Sequence, residues 1–570
     1  MIVINKIAII LGELKKNLYV EQQDGIVLST NLNKAKIDNT IIRFSDINSK
    51  CYFEIVDTII EQIKSSCAEI LIFQTHWHSY LAMLKVAENL KKEKYKCTTI
   101  FLGNQATNSV EETIKNFDFV DFVYFGEPEE QIVKIVKEIQ CQTYNFPENL
   151  LHKKNIETLE KIRYSFNNFI DVNKLPLIQF ERYGLDELDF ENQYFPIDIG
   201  RGCPFGCYYC NISLYRNRKY RIMDVDEIIF RMKFYNRKYG INKFMFMHDS
   251  LCVNKSKILT LCERLSECSE NFLWQCTMRI DNLDIDLFET MYAAGLRGFS
   301  FGIESGSRRM QKIINKKIDL EKAYELLKII SQKKIFLKAF FMYGFPEEKE
   351  ADINLTLQYA FDLMKLGISV QFSQCAFSSS SVLSKKYFDN LYFNPSNPTL
   401  KNVIGWKEEI DRIKNHKELF YYLYDYNSVL RAEIKFLNCF VKECQKYKYT
   451  TEYLNREYLK KGGSPLQLYY DYLSANNLRH CADLQNTNSE HFIIFMKSLI
   501  NKNLNKKVLK FFEFESKLEE FLHGKDNHII ISCDFSYQDL KKFLPIDQIG
   551  NEKTHLILTR NKSYVNITQI

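Results

Sequence analysis

The residues of this sequence best suited to chemistry are three closely spaced cysteines. They stand in the stretch Gly202-Cys203-Pro204-Phe205-Gly206-Cys207-Tyr208-Tyr209-Cys210, at spacing C-x3-C-x2-C. Iron–sulfur clusters take Cys thiolates as ligands, and three thiolates on one tight loop hold three irons of a cubane 4Fe-4S cluster. No fourth cysteine follows nearby; the next is Cys252. One iron is therefore left with an open position, which on a metal means chemistry rather than scaffolding. Cys203, Cys207 and Cys210 are thus candidate metal ligands. Gly202 and Gly206 let the backbone wrap around a cluster, and Pro204 stiffens the turn between the first two ligands. The competing reading is a structural zinc knuckle. Such sites use C-x2-C pairs with a second pair further on and close at four ligands, and that second pair is missing.

Such a loop needs a strand to carry it, and an apolar run at 195–199 directly precedes it. Residues 195–375, within a domain expected over 195–385, repeat a strand–helix unit, with strands expected at 195–199, 243–247, 272–276, 298–303, 336–341 and 368–373. Asp224 reads as an N-cap before a helix over 225–239, with Gly240 after it, and 320–331 is amphipathic. Six such units predict a six-stranded partial (β/α) barrel, with chemistry at the carboxyl ends of its strands. Residues 1–150 also alternate, with strands expected at 7–11, 69–73, 98–102 and 120–125 and helices over 53–63, 80–90 and 131–139. This α/β alternation predicts a doubly wound, Rossmann-like parallel sheet. Its ligand loops are 74–79, 103–107 and 126–130. Residues 151–194 read as a linker with one helix. Residues 386–570 read as a mainly α-helical C-terminal domain. Its long helical pattern over 407–522 breaks at Gly462-Gly463-Ser464-Pro465. Strand-like runs then follow at 529–532 and 555–558, around a short helix at 537–543.

With 570 residues, several domains are expected. Hydrophobic residues make up 46% and charged residues 26%, ordinary for a globular protein. A net charge of +6 with dispersed lysines gives no basic stripe, so nucleic acid is not an expected partner. No apolar run approaches the roughly 20 residues that span a bilayer, and none is expected to meet a membrane. Sixteen cysteines without paired spacing outside the loop fit a reducing compartment, and the expected location is cytoplasmic. Cys67, Cys97, Cys141 and Cys276 lie in apolar patterns and read as buried free thiols. No auxiliary cluster is expected.

The cysteine loop resembles the C-x3-C-x-aromatic-C signature of the radical SAM superfamily, with Tyr209 at the aromatic position. Further segments agree in order along the chain. His248-Asp249-Ser250-Leu251 resembles the acidic second motif near the amino group of S-adenosylmethionine (SAM), with His248 where an Asp is usual. Arg279 and Asp281 resemble R-x-D. Gly302-Ile303-Glu304-Ser305-Gly306 resembles the G-x-E-S-G segment that contacts methionine and ribose, and Lys316 stands where a Lys is frequent. Gly344-Phe345-Pro346-Glu347-Glu348 resembles the G-x-P-x-E loop beside adenine and ribose. The resemblance implies SAM binding by Tyr209, Asp249, Arg279, Glu304, Ser305, Gly344, Phe345 and Pro346. It also implies cleavage of SAM to methionine and a 5′-deoxyadenosyl radical. No residue of this sequence stands out as catalytic beyond these cofactor ligands.

The N-terminal region resembles the cobalamin-binding domain that precedes the barrel in one branch of that superfamily. Phe101-Leu102-Gly103-Asn104-Gln105-Ala106-Thr107 resembles a strand followed by GG-x-H-A-T. Residues 120–129, from Val120-Asp121 to Gly126-Glu127-Pro128-Glu129, resemble V-D-x-V-x-x-G-E-x-E. Asn104 replaces the second glycine, and the cobalt-ligating D-x-H-x-x-G is absent. His76 and His78 flank Trp77 at a strand end, facing a cofactor or standing as polar loop residues. The branch's most common activity is methylation of an unactivated carbon or phosphorus, with cobalamin as methyl carrier. The implied substrate is a peptide or secondary metabolite, and the implied reductant a flavodoxin or ferredoxin. Two alternatives stay open. One is radical rearrangement, cyclisation or epimerisation without bound cobalamin. The other is a non-catalytic iron–sulfur or zinc protein. The serine run Ser378-Ser379-Ser380-Ser381 after the last barrel strand is expected to face substrate, and Cys375 beside it is either a substrate contact or a buried spectator.

Overall fold

The computed structural model describes residues 6–12, 20–47, 51–165, 169–178, 193–212, 216–333, 335–475, 489–502, 506–523, 528–533, 535, 554–561 and 564–569. Two compact units account for the chain. One comprises Met1–Val253, Glu263–Phe272 and Ala376–Tyr426. The other comprises Asn254–Cys262, Leu273–Cys375 and Asn427–Ile570.

The first unit opens with a six-stranded sheet: β1 (Lys6–Leu11), β2 (Asn39–Arg43), β3 (Ala68–Gln74), β4 (Thr98–Leu102), β5 (Phe122–Tyr124) and β6 (Leu150–Leu151). Its order is β2-β1-β3-β4-β5-β6; all pairs are parallel except β5–β6. Runs such as Ile7-Ala-Ile-Ile-Leu and Ile70-Leu-Ile-Phe are buried throughout, as a parallel sheet covered on both faces requires. Helix Tyr52–Ser66 buries Ile55, Val56, Ile59, Ile60 and Ile63 along one stripe. Helix Val20–Lys34 and β2 have no counterpart in the sequence reading. Gly25 weakens the helical signal there, yet packing requires it, since a Cβ would lie 2.2 Å from Leu11 Cδ2.

The central strands are β7 (Phe195–Asp198), a short antiparallel ribbon of β8 (Gly200–Arg201) with β9 (Arg221–Ile222), then β10 (Lys243–Met247), β11 (Leu273–Met278), β12 (Leu296–Glu304), β13 (Phe336–Tyr343) and β14 (Ser369–Gln374). They order as β14-β13-β12-β11-β10-β7, the parallel six-stranded partial barrel expected from the sequence. Helix Val225–Tyr239 follows Asp224 at its N-cap position and ends on Gly240 at φ +72°. Later come the two-residue pair β15 (Leu391–Tyr392) with β16 (Asp425–Tyr426) and, in the second unit, helices including Leu437–Lys446, Lys448–Lys460, Pro465–Ala475 and Lys506–His523. An antiparallel sheet of β17 (His528–Cys533), β18 (Thr554–Asn561) and β19 (Tyr564–Gln569) closes the described chain. The helix expected at 537–543 lies outside the described residues.

Of the four thiols expected to be buried, only Cys276 is. Cys97 is half-buried, and Cys67 and Cys141 are exposed. Cys67 is the left-handed C-cap of its helix and Cys141 the last residue of another, so both leave the apolar stripe where the helix stops.

Candidate active site

The cysteine loop leaves β8 and returns through β9. Gly202 has φ +92°, and a Cβ there would lie 1.8 Å from Lys219 O, so only glycine lets the loop's start pass its end. Cys210 N–H donates to Cys207 O at 3.2 Å, which turns the chain between the second and third thiols. Cys207 is buried, and Cys203, Cys210 and Tyr209 are half-buried. The Arg218 guanidinium stands beside Gly206, about where a Cβ would be 3.1 Å from its Cζ. Among the described residues no three His, Cys, Asp or Glu side chains surround a single ion point. A cubane presents its irons at separate corners, so its three thiolates need not meet at one point. A glycine-flanked loop of three thiols beside a guanidinium fits an anionic cluster.

Two brackets hold this loop. Asp249 Oδ2, just after β10, accepts from Gly202 N–H at 2.6 Å. Beside it, Ser250 N–H donates to His248 Nδ1 at 3.0 Å, which leaves Nε2–H to donate to Arg221 O at 3.1 Å. Burial lowers the His248 pKa and favours the neutral ring, with the Asp249 charge opposing. The His that stands in place of an Asp is therefore a strut between β10 and β9.

The second bracket comes from the loop after β5. Buried Glu127 takes Arg221 in a two-pronged pair at 2.7 and 2.8 Å, pairs with Arg216, and accepts from Ile170 N–H at 3.1 Å. Burial alone would raise the Glu127 pKa, but Arg216, Arg221 and Arg201 outweigh it and hold the carboxyl well below its usual range. Arg201, at the head of the loop, pairs with Glu129 and with Asp198 at 3.0 Å. Asp24 stands 3.8 Å away.

The remaining predicted residues lie in the second unit. A register shift between Gly302 and Glu304 bulges β12 at Ile303 and leaves Glu304, at φ +67°, opposite Phe341. Its Oε1 accepts from Lys316 Nζ at 3.1 Å, with both groups buried. A Cβ at Gly302 would lie 2.1 Å from that oxygen, so the glycine makes room for the pair. Arg279 holds Asp281 by two bonds of 3.0 and 2.7 Å and donates to Lys316 O at 2.7 Å. Asp281, Arg279, Lys316 and Glu304 thus form one chain across the ends of β11 and β12. Ser305 is fully buried, its Oγ 2.9 Å from Thr356 Oγ1. Gly344 has φ +78°, Phe345 is buried and Pro346 half-buried. Glu348 accepts from the N–H groups of Gly344 and, at 3.3 Å, Phe345. Burial pushes the Glu348 pKa up to about 8 against those two bonds.

Residues 197–360 match the radical SAM superfamily. That segment of the chain forms a radical SAM domain. An uncharacterised methyltransferase of Pyrococcus horikoshii is 22% identical over 311 residues, 54% of this chain and 66% of the relative. The anaerobic magnesium-protoporphyrin IX monomethyl ester cyclase of Cereibacter sphaeroides is 22% identical over 279 residues, 46% of this chain and 44% of the relative. The chain thus spans less than two thirds of the length of these relatives. Among solved structures, the cobalamin-dependent SAM radical enzyme OxsB, with aqua-cobalamin and SAM bound, matches at TM-score 0.59 and 11% identity, over 92% of this chain and 82% of that chain. The radical SAM methyltransferase TsrM from Kitasatospora setae, with cobalamin and a 4Fe-4S cluster bound, matches at TM-score 0.53 and 10% identity, over 69% of this chain and 81% of that chain. The likeness is one of fold.

The N-terminal motifs of this chain act as locks. Thr75 Oγ1 donates to Leu102 O at 2.7 Å and accepts from Ala106 N–H at 2.9 Å. Thr107 Oγ1 accepts from Gly126 N–H at 3.1 Å, and Asp121 from Thr99 N–H at 2.8 Å. Gly103, at φ +98°, allows close approach to Thr75 O. At these same strand ends, buried Gln74 Oε1 and Gln105 Nε2 have no hydrogen-bond partner among the described residues. Cobalamin carries a ring of amide side chains, and such amide groups fit it. His76 is buried, its ring parallel to that of His78 at 5.9 Å.

In the serine run, Ser379 Oγ donates to Gln105 Oε1 at 3.4 Å, Ser380 Oγ donates to Asn108 O at 3.2 Å, and Ser381 caps the helix Val382–Tyr387. The hydroxyls of Ser379 and Ser380 thus pack on the N-terminal loops. Cys375 is fully buried, which favours the spectator reading. Nothing in the local sequence marks the partners of Glu127, because they lie up to 94 residues away.

Proposed function

We propose that this chain is a cobalamin-dependent radical SAM methylase acting on an unactivated carbon of a peptide or small secondary metabolite. The observation that carries the reading is the Glu127 bracket. It ties the loop after β5 of a cobalamin-domain-like sheet to the arginines flanking the cysteine loop, within one unit. The match to OxsB over 92% of this chain supports it.

Cys203, Cys207 and Cys210 would hold the cluster, and Tyr209 and Asp249 would complete the loop's face toward SAM. Glu304, Ser305, Arg279 and the Gly344, Phe345 and Pro346 loop would bind the methionine, ribose and adenine of SAM. Gln74 and Gln105 would meet the corrin amides. When bound, a 4Fe-4S cluster supplies the electron that cleaves SAM, and cobalamin carries the methyl group. The chain's residues act by position. Asp249 fixes the head of the loop, and the buried Glu304–Lys316 pair fixes a carboxylate that can meet an ammonium group. Glu348 orders the adenine-side turn. A low-potential flavodoxin or ferredoxin would supply electrons. The domain reading in which 1–150, 195–385 and 386–570 are separate modules joined by 151–194 accompanies this function.

Asn104, where the branch has a second glycine, favours one alternative: a radical cyclisation, rearrangement or epimerisation without cobalamin. Anaerobic incubation of the reconstituted protein with dithionite and methyl-labelled SAM tests both. Methionine and 5′-deoxyadenosine are expected, together with label on added cobalamin. SAM cleavage with no label on cobalamin would favour the alternative. No SAM cleavage at all would overturn both.

A further inference from the structure

We propose that Arg431, in the helical region after the barrel, is a positioning residue for the SAM loop of Gly344, Phe345 and Pro346. The inference rests on the reading of that loop given above. Arg431 lies in the short helix Val429–Glu433 and is only 3% exposed. Its guanidinium donates through Nη1 to Gly344 O and through Nη2 to Cys375 O at 2.9 Å. These carbonyls stand immediately after β13 and β14. Cys375 N–H donates to Tyr343 O at 2.8 Å, so the two strand ends and the guanidinium form one closed set.

Gly344 is the centre of that set. Its N–H is held by Glu348 and its carbonyl by Arg431, so both poles of a turn at φ +78° are fixed from outside the strand. A Cβ on Gly344 would lie 3.1 Å from Arg431 Nη1, which makes the close approach a glycine property. A guanidinium presents its donors in a rigid planar fork and can span two carbonyls; an ammonium on a flexible stem cannot fix both. The surrounding segments brace the same two strands. Tyr343 Oη donates to Lys435 O at 3.2 Å at the end of β13, and Gln445 Oε1 accepts from Val370 N–H at 2.6 Å at the start of β14. The C-terminal region is thereby given a definite task, which is to hold the adenine-side turn.

The test uses full-length, anaerobically reconstituted protein. It measures binding of labelled SAM without reductant, iron content, and SAM KM and kcat in reductive cleavage. Arg431→Gln should weaken SAM binding about tenfold, roughly 1.4 kcal/mol, raising KM more than it lowers kcat and leaving iron content unchanged. Arg431→Lys should be several-fold weaker than wild type. Tyr469→Phe removes the 2.9 Å bond to Glu433 O in the same helical region without touching the carbonyls of Gly344 and Cys375, and should bind SAM normally. Pro346→Ala should weaken SAM binding, since it alters the loop itself. Wild-type affinity in Arg431→Gln, or in folded Arg431→Lys should the first variant not fold, beside weakened Pro346→Ala, overturns the inference alone. Wild-type affinity in Pro346→Ala overturns the loop reading, and the inference with it.

Discussion

The cysteine loop of the first unit and the Gly344 turn of the second are held in opposite ways. The first is bracketed mainly by full charges: Glu127 against Arg216 and Arg221, and Glu129 and Asp198 against Arg201. The second is held by a buried Glu that accepts from the N–H of Gly344 and a buried Arg that donates to its carbonyl. The loop that must carry a charged cluster sits in a dense ion network, where loss of one partner strands several charges. The turn expected to meet a neutral adenine is set by peptide geometry. Mutations should therefore separate the two by size and by readout.

The largest effect is expected for Glu127→Ala. It leaves Arg221 and Arg216 without their carboxylate, and removing one partner of a buried ion pair costs about 3–5 kcal/mol. The melting temperature and the iron retained per chain should fall together, with Glu127→Asp in between. Gly202→Ala comes next. The left-handed backbone alone costs about 1–3 kcal/mol, and the overlap with Lys219 O adds to it. Iron content should drop while SAM binding by the second unit is less affected.

How far these residues were legible in the sequence depends on whether the partners are local. The cysteine loop, Glu304 and Gly344 are short contiguous patterns at strand ends, so the barrel and most of the candidate site could be read directly. The strands at 243–247 and 98–102 were placed to the residue because their apolar runs end at turns. Helix Val20–Lys34 escaped because Gly25 serves a tertiary contact with Leu11, not the helix. Arg431 and Glu127 escaped because their partners stand 87 and 94 residues away. The capping role of Ser381 escaped because composition does not reveal a helix N-cap.

The two regions also separate by pH. Glu348 has its pKa raised by burial to about 8, above its unfolded value. It therefore binds a proton more tightly in the folded state. Its stabilising contribution is complete below the unfolded pKa and is lost as pH rises through the folded one. Stability should fall by up to about 1.4 kcal/mol per pH unit across that window, and Glu348→Gln should remove that slope in thermal melts. The low pKa of Glu127 acts in the other direction, so its contribution is lost only in acid. The smallest effect is expected for Thr356→Ala, which removes the hydroxyl partner of Ser305. About 1 kcal/mol of stability should be lost, with a modest rise in SAM KM.

The central claim is most directly tested by metal content after anaerobic reconstitution with iron, sulfide and cobalamin, followed by desalting. We expect about four irons and about one cobalt per chain, with Cys203→Ala losing the iron and keeping the cobalt. Iron without cobalt would contradict the methylase reading, and iron that survives Cys203→Ala unchanged would contradict the cluster assignment itself.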